Sequence, residues 1–417
     1  MLVAVVMLFV VGAMAALSID VVTLYTARSE AQVAADGAAL AAARVLANSG
    51  MTSDPNAASD GLMTNAWTLA QAVAIRVAEQ NEVGGRNLTA AEVTLPPALG
   101  GTNTNPTVTV RVQRADLPTF FARIWGTKLL TVAAVATAEA YNPSGANALS
   151  GKTIPVATTC VKPWLLPNMD PSTPGSNIFN PGTGAITNTA LLGWTYNTPT
   201  TGTPMSLRCP GGDCSTPLPG PAAWSYYPGD DATTFPHPTR SLPSCTPALT
   251  TNYQESIAGC IETPISCNSL ANIDTSPYGP ARNTETADAV NCLTHATNTL
   301  GDGDQVDLTA AAAPSPPFQF LTGAGNPVAG AAGKDVLVSS SLVTVPVFDV
   351  VTFNSTTGNV QIIGFVQLFL NPDSIAAPAT GNVNATIINM AGCGTGATGQ
   401  PILGNGASPV AVRLISP

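Results

Sequence analysis

The sequence is short of charge. Lys, Arg, Asp and Glu make up 10% of its 417 residues, against roughly 25% in an ordinary soluble domain. The 15 basic residues are thinly scattered among 25 acidic ones, for a formal net charge of −10. No basic stripe exists, so the electrostatic footprint of a nucleic-acid binder is missing. Histidine is almost absent, with His237 and His295 the two in the chain. His237 stands between Pro236 and Pro238, a stiff extended segment and a poor catalytic cradle. Neither a Gly-x-Ser-x-Gly elbow nor a His-Glu-x-x-His pair occurs.

Other chemistry fails on spacing. Gly394-Thr-Gly396-Ala-Thr-Gly399 fits GxGxxG, but the dinucleotide fingerprint needs a helix directly after it and Pro401 follows. It reads as a Gly-rich turn. Gly333-Lys334 lacks the preceding Gly and the following Ser or Thr of a phosphate loop. Cys292 and His295 have ligand-like spacing, without a CxxC or a second His to complete a zinc site. Asp302, Asp304 and Asp307 resemble a calcium loop, yet Asp307 stands where an EF-hand needs Gly and the closing Glu is missing. A solvated turn is expected there, with a loose Ca²⁺ site as the alternative. The expectation is a protein that is not an enzyme, with no cofactor and no small-molecule substrate.

Uncharged polar residues supply solubility instead: Thr, Asn and Ser, beside 37 Gly and 36 Pro. That is common outside the cytoplasm. The eight cysteines Cys160, Cys209, Cys214, Cys245, Cys260, Cys267, Cys292 and Cys393 read as disulfides in an oxidising compartment. Their connectivity stays open, with Cys209–Cys214 the one local pairing suggested, across a Pro-Gly-Gly turn.

Long apolar runs are scarce after the first. Leu2 to Ile19 carries no charge, and Asp20 closes it. This run is at the lower limit of what crosses a bilayer as a helix. An Ala-, Leu-, Arg-, Gln- and Glu-rich segment continues to about Asn48, all strong helix formers. One long helix is predicted, its first part in the membrane and its second projecting as a stalk. Val360–Leu370 is too short for a second span.

Asp20, Tyr25, Arg28, Gln32, Ala34-Ala35-Asp36 and Ala38-Ala39-Leu40-Ala41, directly after that run, resemble the N-terminal signature of the Tad (tight-adherence) Flp-pilus-assembly proteins of the TadE/TadG-like kind. A short basic lead usually precedes the run in that family, and Gly37 stands where Ala is commoner. The Phe120-Phe121-Ala122-Arg123 run and the strand pattern after it are also similar to the family, and the C-terminal strands faintly so. The resemblance implies a bacterial, envelope-anchored protein of a pilus-assembly system. With one apolar run, the cysteines and the composition, the expectation is a single-pass inner-membrane protein whose C-terminal region is extracytoplasmic, periplasmic or at the cell surface. Its partners would be the membrane and other pilus-assembly proteins, met through the N-terminal helix, in adhesion or surface attachment. It implies no catalysis.

Asp20, Tyr25, Gln32, Ala35, Asp36 and Ala38 are then the assembly candidates. Asp20 either marks where the helix leaves lipid or pairs with a basic or N-terminal group of a neighbouring helix, since an intramembrane carboxylate is costly unless paired. Ala31, Ala34, Ala35, Ala38 and Ala42 form a small-residue face that would admit a close partner helix. Helical propensity alone would also make the segment Ala-rich. A second topology treats Leu2–Val11 as a signal-peptide core with cleavage after Ala13-Met14-Ala15, releasing a secreted surface or adhesion protein. The apolar run continues past Ala15, which favours the anchor. A prepilin-peptidase site, Gly followed by an aromatic with Glu at the fifth position, is not visible.

The chain as a whole reads as α+β. Residues 1–50 are the anchor and stalk helix. Residues 51–142 form a small α+β module, with a helix within Asp60–Glu82 on Leu62, Ala66, Leu69, Val73 and Val77. A strand at Val108–Gln113, a helix at Asp116–Trp125 and a strand at Leu129–Tyr141 follow. Residues 143–335 are a Pro-, Gly-, Thr- and Cys-rich disulfide-stapled region, with Trp164, Trp194 and Trp224 arguing against plain disorder, mobile segments such as Ala311–Pro317 and a helix at Ala287–Leu300. Residues 336–417 turn β-rich: a hairpin of Leu342–Phe353 and Val360–Leu370, then Val383–Met390 and Val410–Ile415, with Pro346 at an edge or bulge.

Overall fold

The computed structural model describes residues 2–54, 61–102, 105–126, 128–144, 156–173, 175–193, 206–207, 225–231, 234–235, 244–274, 281–296, 302–306, 317–336, 339–354, 357–371, 381–394, 402–404 and 408–416. Helix α1 spans Leu2–Asn48, 47 residues, or about 70 Å at the α-helical rise per residue. It stops where Gly50 takes a left-handed conformation, φ 81°, a turn that only Gly adopts without strain. Helix α2, Leu62–Glu79, returns along the second half of α1. Ala66, Ala70, Ala74 and Ala78, one per turn, are fully buried there, while Leu69 and Val73 flank the seam half-buried. The expected helix is present, but its innermost stripe is alanine.

The strands that organise the rest are β1 (Pro106–Pro118), β2 (Leu129–Tyr141), β3 (Trp164–Pro167), β4 (Ser225–Pro228), β5 (Leu342–Phe348), β6 (Asn359–Leu370), β7 (Ala385–Gly392) and β8 (Ala411–Ser416). β1 and β2 form a long antiparallel hairpin, from Thr107 opposite Glu139 to Pro118 opposite Leu129. Val108, Val110, Val112, Ala134, Ala136, Ala138 and Ala140 point to one face and are buried under α1. The period-two alternation of these strands is that of a sheet covered on one side. Alanine on both the strand and the helix lets the two backbones approach closely.

Asp116–Trp125 is not a helix beyond one turn. Asp116 to Pro118 finish β1, and only Ala122–Trp125 winds as a 3₁₀ turn, ended by Gly126 at φ 95°. The ladder reaches Pro118 opposite Leu129, which leaves a tip too short for a helix of ordinary length.

β5 and β6 form the expected hairpin, with a bulge between Val347 and Phe348 just past Pro346. β6 also pairs with β7, and β5 with β3 in parallel; β3 in turn pairs with β4. Every residue of β5 and β7 is buried, as is β6 from Ile362 onward, so both faces are covered and the strands read as continuous apolar runs. That burial is why Val360–Leu370 is so hydrophobic without spanning a membrane. Helices α3 (Asn252–Ala258) and α4 (Ala281–Thr294) pack their Tyr253, Ile257, Ala289 and Val290 into the same core. α4 starts six positions before Ala287 and ends at Thr294, with Ala287, Ala289 and Val290 facing that core; residues 297–300 of the expected helix lie outside the described residues.

Strand pairing crosses the expected stretches. β3 and β4, from the Cys-rich region, join the sheet of β5–β7. β8 leaves the C-terminal sheet altogether and pairs with β2, where Arg413 meets the Glu139 carboxylate at 2.9 Å. The described disulfides are Cys160–Cys260, Cys245–Cys292 and Cys267–Cys393. Cys209 and Cys214, Trp194, Trp224, His237, Asp307, residues 311–316 and the glycine run from residue 395 lie outside the described residues.

Asp304 corrects the expectation of a solvated turn. It is buried, and its carboxylate accepts from Gly323 N–H at 3.1 Å, Asn326 Nδ2 at 3.0 Å and Ser339 Oγ at 2.6 Å. A buried carboxylate needs such donors; here they tie three loops together. Among the described residues no group of three or more His, Cys, Asp or Glu could hold a metal ion.

Candidate membrane and assembly surface of the stalk helix

α1 carries two chemistries in succession. From Val3 to Val22 its described large apolar side chains are exposed, Leu8, Phe9, Val11, Met14 and Leu17 among them. Among the described residues one helix, α1, is long and apolar enough to cross a membrane. From Ala27 onward the helix has a buried face: Ala27, Ala31, Ala34, Ala35, Ala38, Ala39, Ala42 and Ala43 are at most 1% exposed. The proposed partner face of Ala31, Ala34, Ala35, Ala38 and Ala42 is thus filled from within the chain, by the β1–β2–β8 sheet and α2.

Asp20 stands at the change-over and is 6% exposed. Its carboxylate accepts three backbone N–H groups from the β1–β2 tip: Phe120 at 2.8 Å, Phe121 at 3.0 Å and Ala122 at 2.6 Å. These are the donors a 3₁₀ turn leaves unpaired at its start. Leu24, Leu117 and Leu130 line the same small pocket. The partner of Asp20 in the structure is therefore the chain's own hairpin. A carboxylate serving three amides needs no cation beside it.

Gln32 and Asp36 are brought together one turn apart. Gln32 Nε2 donates to Asp36 Oδ1 at 2.8 Å and to the Val135 carbonyl of β2 at 3.2 Å. Tyr25 is apart from them, 77% exposed, and Arg28 is exposed as well. Val22, Tyr25, Ser29 and Val33 follow at spacings of three or four and are all exposed, a free strip along the upper helix.

Four further contacts tie the base of this body together. Glu30 Oε2 accepts the Gly84 N–H at 2.6 Å, holding a tight turn in which Gly84 has φ 60°. A Cβ at Gly84 would overlap Leu117, so the position requires Gly. Beside it Arg86 pairs with Glu92 at 2.6 Å and with Asp116 at 2.8 Å, and Arg114 reaches Asp116 at 2.8 Å. The hydrogen bond from Arg86 is the main reason the Glu92 carboxyl is held down to about 2. An acid on a helix is the only sequence signal Glu30 offers.

The far end of α1 plugs into the second sheet through buried amides. Asn389 of β7 donates to the Ala47 carbonyl and accepts from Ser53 Oγ. Asn142 Nδ2 donates to the carbonyls of Thr52 at 3.0 Å and Met390 at 2.8 Å, and Gln367 Nε2 reaches Asn48 Oδ1 at 3.2 Å. The stalk is locked at both ends.

No curated protein and no solved structure matches the chain. Residues 1–45 match the family model described as Flp pilus-assembly TadE/G-like, a match that lies on α1 and takes in both its exposed apolar run and its buried alanine face.

Proposed function

We propose that the chain is a non-enzymatic, single-pass component of Flp/Tad-type pilus assembly. α1 anchors it in the bacterial inner membrane and the rest lies outside the cytoplasm. The observation that carries this reading is the division of one continuous helix. The described large apolar side chains from Val3 to Val22 are exposed, with Asp20 alone buried among the described residues between them, while from Ala27 on one face of the helix is built into a folded body. The described disulfides support an oxidising compartment. The chain works by contacts with other pilus-assembly proteins, in support of adhesion or surface attachment. Those contacts fall on the free strip of Val22, Tyr25, Ser29 and Val33 with Arg28, because the alanine face is occupied.

The test is the intact mass and N-terminal sequence of the mature protein from membrane and soluble fractions. An uncleaved N-terminus confined to membranes is expected. A soluble product beginning at Ala16 overturns the anchor and leaves a secreted surface protein.

A further inference from the structure

The apolar run from Leu2 to Ile19 is about 27 Å long as a helix, close to the thickness of a bilayer core. Asp20 therefore stands at the edge of the hydrocarbon. Its three hydrogen bonds hold Phe120, Phe121 and Ala122 at that same level. The tip of the β1–β2 hairpin is thus pinned against the membrane boundary by the residue that marks it.

We propose that this tip is a second, non-spanning membrane contact, seated in the headgroup layer of an anionic phospholipid surface beside α1. This rests on α1 being the anchor. Composition suits the place. The tip's described side chains include Phe120, Phe121, Leu129 and Leu130 with Arg123 and Lys128 and no acid, in a chain of net charge −10. Aromatic and basic residues together are what the interface favours, apolar side chains entering and cations meeting lipid phosphates. Exposure suits it too: Phe120 is 62% and Leu129 55% exposed, and Arg123 and Lys128 are exposed beside them.

The Asp20 bonds then have a physical purpose. Non-helical backbone cannot sit near hydrocarbon with bare N–H groups. The carboxylate satisfies three of them, so the turn enters the interface with those donors already paired.

The full chain, reconstituted in phosphatidylcholine–phosphatidylglycerol vesicles with nitroxide-labelled lipid, tests this. A fluorescent amino acid is incorporated singly at Val10 in the span, at Phe120 in the tip and at Val351, an exposed site on the distal sheet. The same label at Lys128 repeats the tip measurement without removing an aromatic. Expected is quenching at Val10, Phe120 and Lys128, each several-fold above Val351. Quenching at Val10 with both tip positions equal to Val351 overturns the inference and leaves the anchor standing. Absence of quenching at Val10 overturns the anchor, and the inference with it.

Discussion

Asp20 and Lys162 show how little of a residue's role lies in its type. The acid at position 20 is visible in the sequence as the end of an apolar run, but the amides it holds lie a hundred positions further on. Replacing it with Ala leaves three N–H groups without the acceptor that the buried carboxylate supplies. Exchange of the Phe120, Phe121 and Ala122 amides is expected to accelerate by about tenfold or more, with α2 amides unchanged. Asp20→Asn keeps an acceptor and falls between. Lys162 had no visible signal at all. Its amine is buried and donates to the Gly259 carbonyl at 2.7 Å, and burial pushes it down to about 7 from 10.5. Between those values the unfolded chain holds a proton that the folded chain has released, so stability rises with pH across this window. Below 7 the amine is ionised in both states and its burial is fully unfavourable. Denaturation at pH 6 and pH 9 is expected to show a gain on the order of 2 kcal/mol. Lys162→Met removes that gain.

At the scale of elements, periodicity was a good guide wherever one face alone was buried. β2 spans Leu129–Tyr141, the stretch its alternation predicts, while β6, covered on both faces, is marked by its continuous apolar run and begins one residue before Val360. Boundary signals misled at Asp116–Trp125, where Pro118 and Gly126 read as the start and end of a helix but the ladder runs on to Pro118. The alanine face, open in the sequence to a partner helix or to propensity alone, is filled by α2 and the β1–β2–β8 sheet, because small residues suit a neighbouring sheet as well as a neighbouring helix. The junction at the end of α1 is the element contact with most at stake. Asn389→Leu strips the Ala47 carbonyl and Ser53 hydroxyl of a buried partner, a loss of about 2–3 kcal/mol. Urea denaturation reads it. Asn354→Leu, in an exposed turn, should change stability far less.

For the whole molecule, chain connectivity and spatial organisation diverge. Cys267 and Cys393 close 126 residues, and β8 carries the chain back from the distal part to β2. Removing that disulfide by Cys267→Ser with Cys393→Ser is expected to destabilise the fold by about 4–5 kcal/mol on the chain-entropy account. Calorimetry should show the melting transition moved down accordingly. The loss is large because the loop is long and holds most of the distal sheet.

What the sequence determined by itself is local: the helicity and apolar run of α1, the alternation of β1 and β2 and the β5–β6 hairpin. Each rests on neighbours a few residues apart, where propensity and period act directly. Only the tertiary structure decided the partner of Asp20, the filling of the alanine face, the pairing of β8 with β2 and the interleaving of β3 with β5. These depend on which distant surfaces meet, and a carboxylate, an alanine or a strand edge fits many of them equally well. Burial of complementary surfaces selects one arrangement, and that selection is a property of the folded molecule.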